Sequence, residues 1–148
     1  MILKMIKGTG FRGVLDYLLN GTKNSAPNRG QIIVSNMAGT TPRQLSSEFG
    51  TLRKMRPALC KAVAHMSISL SPEDRNLTDA EFSQIATEYL NDMGFANCPY
   101  VAVRHNDTEH QHIHLVASRI DFNGACVSDS NDYRRGEAVM RNLEKKTN

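Results

Sequence analysis

An α+β domain, with a largely antiparallel sheet and helices packed on one of its faces, is the fold class this sequence predicts. Three observations lead there. Ala62–Leu70 alternates cleanly: Ala64, Met66, Ile68 and Leu70 make one side, and Val63, His65, Ser67 and Ser69 the other. That is the pattern of a strand with one apolar and one mostly polar face. Four other segments carry apolar residues at helical spacing. Pro99–Arg104 and Gln111–Ile120 read as two strands joined by a short polar turn, most simply an antiparallel hairpin. Helices covering the apolar side of such a sheet complete the layers. The opposite side would carry His65, Ser67, Ser69, His112 and His114.

The elements follow in order. Met1–Lys7 reads as a strand, broken by Gly8-Thr9-Gly10. Phe11–Leu19 is a short helix, with Phe11, Val14, Leu15, Leu18 and Leu19 on one face. Asn20–Gln31 is a polar loop and Ile32–Asn36 a short strand. Thr41-Pro42 opens a helix with proline at the first helical position, where its missing N–H costs nothing. Leu45, Phe49, Leu52 and Met55 continue that helix's apolar face until Pro57 interrupts it. After the Ala62–Leu70 strand, Thr78-Asp79-Ala80-Glu81 matches a capping box. Phe82, Ile85, Ala86, Tyr89, Leu90 and Met93 line the helix that follows, and Gly94 ends it. Asp121-Phe122-Asn123-Gly124 is a turn whose Asn-Gly pair is a strong hairpin signal. Arg134–Lys146 is an amphipathic helix through Ala138, Met140 and Leu143.

A chain of 148 residues suits one domain, residues 1–148, with a real but modest core. Its 40% hydrophobic and 22% charged residues place it among globular chains. No apolar run approaches a membrane span, and Met1-Ile2-Leu3 leads straight into Lys4 and Lys7 without a signal peptide. Cys60, Cys98 and Cys126 are odd in number and widely spaced, so a reducing cytosol fits best. The net charge of +3 hides an asymmetry. Residues 1–61 hold ten Lys and Arg against Asp16 and Glu48; residues 62–148 hold eight basic and thirteen acidic residues. The basic segment is either an ordinary solvated face or a surface for a polyanion such as nucleic acid. In the second case Arg12, Lys23 and Arg29 are the expected phosphate contacts.

The densest chemistry is His105-Asn106-Asp107-Thr108-Glu109-His110-Gln111-His112-Ile113-His114. Four of the five histidines fall in these ten residues. Strand side chains alternate, so His112 and His114 point the same way, about 7 Å apart along the strand. With His105 preceding them across the turn, three imidazoles can converge on one divalent ion and leave it open positions, a catalytic rather than a structural arrangement. Asp107 can hydrogen-bond a ligand imidazole and fix its tautomer, or simply form the turn. His110 can be a ligand, a substrate contact or a turn residue. An ion with open positions polarises a carbonyl or a phosphoryl oxygen, or activates water, and the basic N-terminal segment favours phosphate. For a nucleophile, Tyr17 is the best candidate, because it lies about 130° from the centre of its helix's apolar face. Tyr89 lies on its apolar face and reads as core; Tyr100 and Tyr133 are less decided.

The run His105-x-Asp107-Thr108-x-His110-x-His112-Ile113-His114 resembles the third motif of MOB-P-class relaxases, DNA-nicking enzymes of the His-hydrophobic-His endonuclease group. His65-Met66-Ser67-Ile68-Ser69-Leu70-Ser71-Pro72-Glu73, with the capped helix ending in Met93-Gly94-Phe95, resembles their second motif. Val14-Leu15-Asp16-Tyr17-Leu18 resembles their first. Order and spacing agree across residues 1 to about 145. The resemblance implies that Tyr17 attacks the scissile phosphate of single-stranded DNA at a transfer origin and forms a covalent 5′-phosphotyrosine. It implies that His105, His112 and His114 hold a divalent metal (Mn²⁺, Mg²⁺ or Zn²⁺), that Asp107 orients a ligand or assists deprotonation, and that Ser69 contacts DNA. It also implies accessory DNA-binding proteins and a coupling protein as partners, and a cytoplasmic protein. Family members commonly run longer, so residues 1–148 are expected to be a short relaxase domain or the N-terminal core of a longer protein.

Three rivals stay open on sequence. A rolling-circle replication initiator or a transposase shares the metal and the tyrosine. A metal-dependent hydrolase would use activated water and keep its activity in Tyr17→Phe. A non-enzymatic DNA-binding module would use the metal only to staple the hairpin.

Overall fold

Strand alternation and helix caps account for most of the architecture. The computed structural model describes residues 1–21, 30–105 and 109–147. Along the chain run β1 (Ile2–Gly8), α1 (Phe11–Asn20), β2 (Gly30–Ser35), α2 (Pro42–Arg53), β3 (Val63–Ser69), α3 (Asp79–Asp92), β4 (Tyr100–His105), β5 (His112–Ser118) and α4 (Asp132–Thr147). The strands form one sheet in the order β1-β3-β5-β4-β2, every neighbouring pair antiparallel. The α+β, antiparallel expectation holds. So does the hairpin of β4 and β5, which lies at the centre of the sheet. Among the described residues no helix is long and apolar enough to cross a membrane.

The helices divide between the two faces of the sheet, which corrects the expectation that they all pack on one. α3 and α4 cover one face. Phe82, Ile85, Tyr89, Leu90, Met140 and Leu143 join Ala64, Met66, Ile68, Ala102, Ile113 and Leu115 in one core. α1 and α2 build a second core on the other face, where Phe11, Leu15, Leu18, Leu45 and Phe49 gather with Val63, Val101, Val103, Val116 and Ile120. The rings of Phe11 and Phe49 stack at 4.2 Å. The physical reason lies in Val101-Ala102-Val103 and Leu115-Val116-Ala117. Continuous apolar runs belong to strands buried on both sides, and a helix on one side alone would leave three valines in water.

This second layer is partial. α1 touches β2 and β4. The exposed side of β1 (Ile2, Lys4, Ile6) and the polar side of β3 and the start of β5 are left to line a groove.

Local chemistry sets the helix ends. Thr41 accepts from the Gln44 backbone N–H while the Gln44 side chain reaches back, a capping box in front of Pro42. At α3, Thr78 Oγ1 accepts from Glu81 N–H at 3.2 Å and Glu81 Oε2 accepts from Thr78 N–H at 2.8 Å. Gly94, at φ +91°, then turns the chain out of α3. α2 stops at Arg53, so Met55 is exposed rather than on its apolar face. The Asp121–Gly124 turn forms with Gly124 at φ +83°, but it closes on a single bridge, Ile120 to Cys126, instead of a second long strand. Cys60, Cys98 and Cys126 are all unbridged.

Candidate metal centre and nucleophile

Register brings the histidines together. In the β3–β5–β4 ladder Ser69, His112 and His105 lie in one row across the sheet, and Ser67, His114 and Val103 in the next. With a side-chain period of two, both rows present these residues to the same face. The ring centroids of His105, His112 and His114 are 4.4–5.1 Å apart. One nitrogen from each lies within 4.8 Å of the others, close enough to share an ion. All three expected ligands are therefore in one place.

The donor set suits a divalent metal, because the second nitrogen of each ring is held by the protein. His105 is fully buried, and its Nε2 lies 2.9 Å from the Leu18 carbonyl oxygen. A carbonyl only accepts, so Nε2 carries the proton and Nδ1 keeps its lone pair. His112 Nδ1 likewise donates to the His110 carbonyl at 3.1 Å, which leaves the Nε2 lone pair for an ion. His114 Nδ1 sits 2.9 Å from His65 Nε2. With Nδ1 donating to a neutral His65, His114 keeps its lone pair on Nε2. Burial, and after it the nearby His105, lower the His65 pKa, which keeps that ring neutral and able to accept. Such outer partners fix the tautomer and raise ligand basicity. His65 is thus part of the centre, holding His114 rather than an ion.

Above the histidines lies a groove of about 600 Å³, lined by Tyr17, His65, Ser67, Ser69, His110, His112 and His114, with Ile2, Lys4 and Ile6 of β1 along its edge. Tyr17 is 45% exposed while Phe11, Leu15, Leu18 and Leu19 of the same helix are buried, so it does stand off the apolar face. Tyr89 is fully buried in the core, and burial raises its hydroxyl pKa. Tyr133 is exposed but lines a different cavity, beside Ile2 and α4. Ser69 lines the groove as expected. His110 lines it too and offers its backbone carbonyl to His112.

Arg12 does not line the groove; it is exposed on α1 and pairs with Asp16 at 3.0 Å. Asp107, Lys23 and Arg29 lie outside the described residues. Sequence reasoning missed two features here. The His65–His114 pair was signalled only by His65 falling on the polar side of its strand. Among the described residues Lys4 is the Lys or Arg that lines the groove, and the alternation Ile2-Lys4-Ile6 along β1 was its only sign.

No curated protein matches the chain. The family model described as "Relaxase: MobA/VirD2-like, nuclease domain" matches residues 17–148, a span that holds Tyr17, His65 and the whole histidine cluster. With most of its length matched, and with three buried or half-buried imidazoles assembled beside a tyrosine-lined groove, the chain belongs to the MobA/VirD2-like relaxase nuclease-domain family.

Proposed function

We propose that this domain nicks one strand of DNA at a transfer origin by tyrosine transesterification, as a MOB-P-class relaxase serving plasmid or mobile-element transfer. The observation that carries the reading is the groove: Tyr17 and the metal-competent His112 and His114 line one wall system, above the buried His105. The family supplies the coarser statement, a DNA-nicking nuclease domain.

His105, His112 and His114 would hold a divalent ion, which when bound stabilises charge on the scissile phosphate and eases attack by a weak nucleophile. The Tyr17 hydroxyl loses its proton and its Oη forms a bond to phosphorus. The bond from phosphorus to the 3′ oxygen breaks, and that oxygen leaves with a proton as a 3′ hydroxyl. The product is a phosphotyrosine on the 5′ end of the downstream strand. It conserves the energy of the broken diester, so the strand can be rejoined. In this reading Asp107 orients a histidine or assists deprotonation, Ser69 contacts the strand, and Arg12, Lys23 and Arg29 add basic contacts to the DNA. Accessory DNA-binding proteins and a coupling protein are its expected partners, in the cytoplasm, with residues 1–148 acting as one relaxase domain.

The test is a labelled single-stranded oligonucleotide spanning the origin, incubated with Mn²⁺ or Mg²⁺. Wild type should gain the mass of the 3′-side fragment on the peptide containing Tyr17, and Tyr17→Phe should give none. An adduct on Tyr100 or Tyr133 would overturn the assignment. Cleavage without any adduct would point to hydrolysis by activated water.

A further inference from the structure

We infer that Gly30 is a positioning residue for the metal centre: having no side chain, it lets the last turn of α1 lay the Leu18 carbonyl on His105. One contact then sets both the ligand and the helix that bears Tyr17. The inference rests on the metal-and-tyrosine reading above for its consequence, though not for its geometry.

Three observations converge. First, Leu18 lies in the last turn of α1, where carbonyls have no partner within the helix. The Gly21 N–H closes on Tyr17 O at 3.1 Å. The Leu18 carbonyl instead takes the His105 Nε2–H at 2.9 Å, in a buried setting. A histidine therefore finishes the helix, and the helix in turn fixes which nitrogen of that histidine keeps its lone pair.

Second, Gly30 stands directly opposite His105 in the β2–β4 ladder. Third, a Cβ placed on Gly30 would lie 2.3 Å from the Leu18 carbonyl oxygen, 2.4 Å from Val103 Cγ1 and 3.1 Å from His105 Cδ2. Real Cβ atoms do not approach that closely, so something must move. Gly30 is not among the glycines with positive φ, so space rather than backbone conformation selects glycine here. Gly136 makes a useful contrast: the atoms crowding it are side-chain atoms of Leu3, Tyr89 and Met5. At Gly30 the nearest obstacle is a backbone oxygen, and it is the one that His105 needs.

An alanine methyl at Gly30 forces a shift, and its nearest neighbour is Leu18 O, so the methyl would push that carbonyl away from His105. That would remove the acceptor that enforces the Nε2–H tautomer and shift the residue next to Tyr17. Substitution at Val103 separates this effect from ordinary crowding. Gly30→Ala with Val103→Ala relieves the side-chain clash but leaves the carbonyl clash.

The experiment compares wild type, Val103→Ala, Gly30→Ala and the double variant. It reads thermal unfolding, ¹⁵N NMR of the His105 ring in metal-free protein, and calorimetric titration with Mn²⁺. Wild type and Val103→Ala should show His105 protonated at Nε2 and bind Mn²⁺ alike. Gly30→Ala should lose that signature and about 10–100-fold in affinity, the usual cost of a lost outer partner. The double variant should regain stability while the tautomer and affinity stay impaired. A double variant with wild-type tautomer and affinity would overturn the inference, as would a folded Gly30→Ala that keeps both. Failure of both alanine variants to fold would also overturn it, because Gly30 would then serve the fold and not the ligand. The tautomer is read without DNA, so a wild type that shows it yet forms no phosphotyrosine refutes the proposed reaction and leaves this contact standing.

Discussion

On one face of β5, Ile113, Leu115 and Ala117 are fully buried beneath α3 and α4; on the other, His112 and His114 stand half-exposed in a groove of about 600 Å³. The two sets alternate along the same seven residues. A slip of one residue in register would put the imidazoles in the core and the aliphatics in water. The dense face therefore secures the open one: burial of Ile113 and Leu115 holds His112 and His114 in place, and the groove can be polar because it contributes little to stability.

The first way to break this comparison is to remove apolar volume from the dense face. Leu115→Ala should cost about 2–5 kcal/mol, through lost burial and the cavity left behind. Denaturant unfolding measures it, and a cost below about 1 kcal/mol would mean the faces are not so divided. Metal sharpens the same contrast. At an ion concentration about 100 times the dissociation constant, wild type should gain about 2.7 kcal/mol of stability. Metal-free His112→Ala should melt near wild type and gain no more than about 1.4 kcal/mol at the same Mn²⁺ concentration, as scanning calorimetry with and without the ion would show.

A smaller loss is expected at the cap of α3, on the dense side. Thr78→Ala removes the side-chain acceptor for Glu81 N–H and should cost about 1 kcal/mol. The smallest effect belongs to the groove. Ser69→Ala should change stability by no more than about 0.5 kcal/mol, while weakening retention of single-stranded DNA in a filter-binding assay. A Ser69→Ala protein destabilised as much as Leu115→Ala would end the division of labour argued here.

Much of this was legible in the sequence. Period-two alternation revealed β3 and the shared face of His112 and His114. The Thr78–Glu81 box marked where α3 begins, and the apolar spacing of Phe11, Leu15 and Leu18 put Tyr17 off its helix's packing face. What stayed hidden depends on contacts distant in the chain. The run Val101-Ala102-Val103 fits a strand buried on both sides, yet so short an apolar run cannot be told by periodicity alone from a buried helix segment. The pairing of His65 with His114 follows from the β3–β5 register, which no local pattern encodes. The meeting of Gly30, Leu18 and His105 joins three elements. Charge counting reached the basic N-terminal segment but not its geometry. Arg12 pairs with Asp16 on α1, while Lys4, one strand position in three along Ile2-Lys4-Ile6, lines the groove.

The claim at the centre of this account is that His105, His112 and His114 hold one divalent ion, and calorimetric titration with Mn²⁺ tests it most directly. Wild type should bind one ion per chain. His112→Ala should bind at least about tenfold more weakly, and His65→Ala, which removes only the partner of His114, should fall within the 10–100-fold loss typical of an outer contact. Unchanged affinity in His112→Ala would contradict the account.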